Sequence, residues 1–154
     1  MALNISSFRV ADIADLPIKN ADGSPLVDPE TGEPVTATIC GPGHKVWQVA
    51  DAAKRRKAIK RSREANGKFE AALDNEDADN IDFLCAITKR FNHLDYEDAD
   101  GNAVHGDRET VRAVYADPLL GFIRDHLMDD TRNWENFMKA SQALPNSGSD
   151  NSHG

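Results

Sequence analysis

The stretch PVTATICGPGHKVWQVADAAKRRKAIKR, residues 34–61, holds the change of period from which the fold is read. In its first part Val35, Ala37 and Ile39 alternate with Thr36, Thr38 and Cys40, and a period of two sends successive side chains to opposite faces of a strand. The GPG at 41–43 ends that strand, because Pro42 has no N–H to give a ladder and glycine accepts dihedrals that other residues avoid. From Val46 the period turns helical: Val46, Val49, Ala50 and Ala53 fall at i, i+3, i+4 and i+7, with Trp47 beside them. After Ala53 the apolar stripe dissolves into KRRKAIKRSR, where seven of ten residues are basic. A helix half that is polar all round projects into solvent or meets a partner. Asn66 and Gly67 read as its stop.

Upstream, two turn-rich runs, NADGSP at 20–25 and DPETGEP at 28–34, predict that a strand near 16–19 returns through a long double turn to the strand at 34–40. Downstream, Ile81, Leu84, Ile87, Phe91 and Leu94 keep helical spacing, with acids at 77, 79 and 82 and bases at 89 and 90. Both ends then suit the helix dipole, and one helix is expected over 77–94. DYEDADGNAVHG is a loop with a tight turn at Asp100 and Gly101. A short helix over 107–116 follows, with Asp107 as N-cap and Val111, Val114 and Tyr115 inward. Asp117 and Pro118 then read as cap and first position of a last helix, which the DDT at 129–131 is expected to break. The fold class is therefore mainly α with a small N-terminal β-hairpin, α+β, with several short helices in one domain. Its expected parts are an arm at 1–15, the hairpin at 16–44, a helical region at 45–144 and a disordered tail at 145–154.

Composition narrows the function. Of 154 residues, Leu, Ile, Val and Phe supply only 32 while alanine alone supplies 20, so one modest core is all the chain can build. No apolar run approaches the roughly 18 residues of a membrane span, and the start MALNISSFRVADIAD lacks a secretory pattern. Two isolated cysteines, Cys40 and Cys85, suit reduced, buried thiols rather than a disulfide framework. The five histidines show no HxxxH or HExxH spacing, and DYEDADGN puts Tyr96 where a calcium loop needs its first oxygen ligand. GxSxG, GxxxxGK[ST] and GxGxxG are all missing, so no catalytic, metal or cofactor residues are assigned.

Charge is segregated. Residues 1–44 carry 2 basic and 6 acidic side chains, 45–68 carry 9 and 2, 69–100 carry 2 and 10, and 101–154 carry 5 and 8, for a net charge of −8. Residues 54–63 have no interleaved aromatic to stack a base and lie between acidic blocks, which argues against a nucleic-acid partner. The expectation is instead self-association, with Lys54, Arg55, Arg56, Lys57, Lys60 and Arg61 docking on the 69–100 block of a neighbouring protomer. Pairing within one chain is the competitor.

In order of elements, a turn-rich hairpin ending DPETGEPVTATICGPG, a basic helix, the segment TKRFNHLDYEDADGNAVHG and then ETVRAVYADPLLGFIRDHLMDDTRNWENF resemble the tail assembly chaperones of long, non-contractile-tailed bacteriophages and prophages. The likeness is carried by Gly32, Glu33, Pro34, Val35 and Thr36, by Gly41, Pro42 and Gly43, and by the closing Asn136 and Phe137. His44 stands where the family commonly has a serine, and Arg90 and Phe91 where it has a Gly-Trp-like pair. The resemblance implies a non-enzymatic factor, acting in the host bacterial cytoplasm, that coats the hydrophobic tape-measure protein in several copies and is displaced as the tube assembles. It also implies a longer, frameshifted form that reaches the tail tube protein. A small structural virion protein, such as a head-to-tail connector or tail-completion protein, is the alternative; a nucleic-acid-binding regulator is a third. Phe122, Ile123, Trp134 and Phe137 are the expected client-binding patch, unless they close the core.

Overall fold

The computed structural model describes residues 1–64 and 76–139. The proposed helix stop at Asn66 and Gly67 and the tail at 145–154 lie outside them. The fold is α+β and mainly helical, with a sheet of three antiparallel strands: β1 (Ile13–Pro17), β2 (Thr36–Cys40) and β3 (Thr88–Asn92), in the order β1-β2-β3. Four helices, α1 (Lys45–Glu64), α2 (Glu76–Ile87), α3 (Asp107–Ala116) and α4 (Gly121–Arg132), are the α-helices among the described residues.

The alternation at 35–40 becomes β2, paired with β1 from Ile13↔Cys40 to Pro17↔Thr36. Strand β1 thus begins inside the stretch read as an arm. Beyond Pro17 the chain makes a three-way backbone junction: Ile18 N donates to Val35 O at 2.9 Å, Val35 N to Leu26 O at 3.0 Å and Leu26 N to Ile18 O at 2.9 Å. Each of the three residues gives one hydrogen bond and accepts one, so the buried stem satisfies its polar groups without a further strand. The two turns hang from it, with Gly23 and Gly32 both at positive φ.

The expected helix over 77–94 is corrected. It stops at Ile87, and the next five residues pair with β2 as its third strand, Thr36↔Asn92 through Ile39↔Thr88. The register slips between Thr38 and Ile39, which oppose Arg90 and Thr88 and leave Lys89 extra. That bulge breaks the period of two. The sheet is therefore more than an N-terminal hairpin. Helix α3 buries Val111, Val114 and Tyr115 as its spacing requires. It starts, however, from Gly106 at φ 90°, and Asp107 is already in its first turn. Asp117 does cap its successor, accepting from Leu119 N at 3.0 Å, but the residues from Pro118 form a 3-10 turn before α4 begins. Helix α4 continues through 129–131 and ends at Arg132. Thr131 does not break it, because its hydroxyl is buried and donates to Cys40 O at 2.9 Å.

The core lies between the sheet and α2, α3 and α4, where Leu16, Ile18, Ile39, Leu84, Ile87, Tyr115 and Leu127 are almost wholly buried. Side chains of this size stabilise by about 1.5–3 kcal/mol each when fully buried. The Tyr115 hydroxyl meets Thr88 Oγ1 at 2.8 Å, which fastens α3 to β3 inside the core. Both cysteines are free and buried, and burial pushes both thiols up. No helix among the described residues is long and apolar enough to cross a membrane.

Candidate partner-binding surface

Strand β2 ends at Cys40, and the GPG that follows is where the two ends of the described chain meet. Gly41 N donates to Asp12 O at 2.8 Å, and Ala11 N donates to Phe137 O at 2.7 Å. Phe137 belongs to a 3-10 turn, Trp134–Phe137, capped by Asn133, whose Oδ1 accepts from Glu135 N at 3.1 Å. A β-carbon on Gly41 would lie 2.6 Å from the Phe137 ring, closer than a carbon atom can sit, so a glycine is required there. Two segments that carry the family resemblance, the GPG and the Asn-Phe pair, thus pack on each other.

Helix α1 starts immediately after the turn. His44 Nδ1 accepts from Val46 N at 3.0 Å, so an imidazole performs the capping that a hydroxyl performs elsewhere. The expected apolar face of α1 is rotated from its predicted place. Trp47 and Ala50 face inward, Trp47 edge-on to Phe83 with ring centroids 5.5 Å apart, whereas Val46 and Val49 are exposed. Trp47, Ala50, Lys54 and Arg61 are buried or half-buried and Lys57 reaches α2 from an exposed position, so three of the five residues on this side of α1 are basic.

The four expected client-binding residues separate. Ile123 and Phe137 are buried in the core. Phe122 is half-buried, edge-on to His126. Trp134 is 54% exposed, its ring lying 3.5 Å from where a β-carbon on Gly43 would be. The turn at Asn133 takes Trp134 and Phe137 off the axis of α4, so the four do not share one helical face. Three further exposed apolar side chains, with Trp134, lie close along the chain to the point where residue 137 closes on residues 11 and 41. Trp134 covers Gly43, Met138 follows Phe137, Val46 lies three residues beyond Gly43, and Phe8 lies three residues before the Ala11 that bonds Phe137. Phe8 closes the 3-10 turn Ile5–Phe8, in which no residue is buried. Sequence reading did not single out Phe8, Val46 and Met138, because the closure of residue 137 onto residues 11 and 41, near which they lie along the chain, is a long-range one.

The six expected self-association residues also separate. Arg61 forks onto Asp79, with Nη2 3.0 Å from Oδ1 and Nη1 on Oδ2. Lys57 Nζ lies 3.2 Å from Asp82 Oδ2, a carboxylate that Arg112 also approaches at 3.3 Å. These two pairs hold α1 antiparallel to α2 within one chain, the competitor arrangement. Lys54 turns inward, its Nζ 5.9 Å from the Phe83 ring centre, and burial lowers its pKa. Arg55 and Lys60 make exposed contacts one turn away, with Asp51 at 3.3 Å and Glu64 at 4.0 Å. Arg56 is exposed and forms no ion pair among the described residues.

The surface offers apolar contact and charge. Among the described residues no group of three or more His, Cys, Asp and Glu side chains is placed to hold a metal ion. Comparison of the chain with protein-family models, with curated proteins and with solved structures finds no match.

Proposed function

We propose that this chain is a non-enzymatic assembly factor for the tails of long, non-contractile-tailed bacteriophages, acting in the host cytoplasm to keep the tape-measure protein soluble. The reading rests on an apolar rim inferred from the exposed side chains that flank, along the chain, the closure of Phe137 onto Ala11 and Gly41. Trp134, Met138, Phe8 and Val46 are each at least 40% exposed, and each lies within three residues of Ala11, Gly43 or Phe137 along the chain. An apolar group of this kind on a small charged domain is the ordinary mark of a contact surface. Support also comes from the residues of the resemblance, since the turn at 41–43 and the Asn-Phe at 136–137 are the scaffold on which that rim stands.

Co-expression with the tape-measure protein of the same phage or prophage tests the reading. The client is expected in the soluble fraction and in complex with this chain, and the chain is expected to be absent from finished tails. A client equally soluble without the chain overturns the proposal. Recovery of the chain in stoichiometric amount from purified virions makes it a structural tail component instead.

A further inference from the structure

The outer face of α1 and the far end of the sheet have opposite charge and similar make-up. On α1, Val49, Arg56, Ile59 and Arg63 recur at helical spacing on one outward stripe, with Val49 and Ile59 each 54% exposed. Arg56 and Arg63 form no ion pair among the described residues. At the Thr36 end of the sheet, the lower turn at 28–33 and the turn after β3 come together, with Asp28, Glu30, His93 and Asp95 lining one hollow. His93 Nδ1 lies 3.6 Å from Asp28 Oδ2. Glu97, exposed, and Asp98, half-buried, follow Asp95 in the chain, and Val27, 52% exposed, precedes Asp28. Each patch is thus an exposed apolar side chain among charges of a single sign, and the signs are opposite.

We infer that the outer stripe of α1 docks on the acidic sheet end of a second copy of this chain. The acids first expected to receive α1, Asp79 and Asp82, are already held by Arg61, Lys57 and Arg112 of the same chain. The turns at 28–33 and 95–98 carry acids, Glu30, Asp95 and Glu97, that form no ion pair among the described residues. The two patches are different parts of the molecule, and α1 starts from the Cys40 end of β2 while the acidic turns lie at its Thr36 end. Such a contact is heterologous, so each copy offers one patch and accepts at the other, and copies add head to tail into rows or rings. Charge sets partner choice and salt sensitivity in such a contact, because exposed charges are screened beyond about 8 Å at physiological ionic strength.

The inference concerns the protein alone and needs no client, so its failure and that of the tape-measure reading are separable. Sedimentation velocity of the purified chain across a protein and salt series tests it, with two charge-reversed variants. One carries Arg56→Glu and Arg63→Glu; the other carries Glu30→Lys, Asp95→Lys and Glu97→Lys. The wild type is expected to sediment faster with rising concentration at low salt, and this rise disappears at high salt. Each variant alone stays monomeric, while an equimolar mixture of the two regains the association, which also shows both to be folded. A wild type that is monomeric throughout overturns the inference. So does association that survives both reversals, or a mixture that stays monomeric.

Discussion

The Phe137 ring occupies the space in which a side chain on Gly41 would begin, with Cδ1 2.6 Å from the ideal β-carbon. Gly41→Ala is therefore expected to destabilise the fold by about 1–3 kcal/mol through overpacking. Phe137→Ala should cost about 3–5 kcal/mol through the cavity it leaves. In the double variant the new methyl enters vacated space, so the combined loss should be smaller than the sum of the two single losses. Urea midpoints at constant slope measure all three; strict additivity would mean that the two residues do not share one packing site.

Trp134→Ala should change stability by less than about 1 kcal/mol, as surface substitutions usually do. The same change should sharply reduce recovery of soluble tape-measure protein. Parallel loss of melting temperature and of client solubility would return Trp134 to the core.

The Arg61 fork holds the Asp79 carboxyl below the ordinary carboxylate range, and its hydrogen bond is the largest cause. A depressed acid favours the folded state above its unfolded pKa of about 4 and loses that contribution as pH falls through the lower folded value. Stability should thus drop at acidic pH, and in Asp79→Asn the drop should be shallower. At neutral pH that variant should be less stable by about 1–3 kcal/mol, since the guanidinium loses a charged partner. An unchanged acid limb in chemical denaturation from neutral pH downward would separate this pair from the pH response.

Tyr115 behaves in the opposite sense. Burial pushes its phenol far above the usual range, so the folded state keeps it un-ionised. Stability should be complete below the unfolded value of about 10 and fall as pH rises past it. Tyr115→Phe, which leaves Thr88 without its buried partner, should cost about 1–3 kcal/mol. Combined with Thr88→Val it should come close to neutral, because both polar atoms then leave together. Alkaline ultraviolet titration of tyrosinate, run beside circular dichroism, should show Tyr115 ionising only with unfolding.

His44→Ala should lower stability by about 0.5–2 kcal/mol, and His44→Ser should restore most of it, because a hydroxyl can accept from Val46 N as the imidazole does. Equal losses in the two variants, read from thermal melts, would mean that the ring packs rather than caps.

What the sequence revealed and what it hid follow from range. The alternation at 35–40, the inward face of α3 and the tight turn at Gly101, with φ 82°, are set by residues close in the chain and were legible. Strand β3 was not. Ile87, Phe91 and Leu94 keep helical spacing, while the bulge at Lys89 erases the alternation that would have declared a strand, so β2 decides the conformation from a distance. The inward face of α1 was misplaced because Val46 and Val49 are more apolar than Lys54, Lys57 and Arg61. Yet a basic side chain over Phe83, or paired with Asp82 or Asp79, fits that interface through partners on α2. Trp134 and Phe137 looked equivalent by spacing, and only the turn at Asn133 distinguishes them.

The hydrogen bond from Ala11 to Phe137 has a consequence for the order in which the protein takes shape. Synthesis runs from the N-terminus, and β1 and β2 exist as sequence long before their seal does. Thr131, in the last turn of α4, and Phe137 beyond it, which close over Cys40 and Gly41, are made only after all three strands and the first three α-helices. A growing chain therefore presents an open sheet end on the ribosome and completes its tertiary structure as a late event, with the first-made and last-made parts of the described chain locking each other.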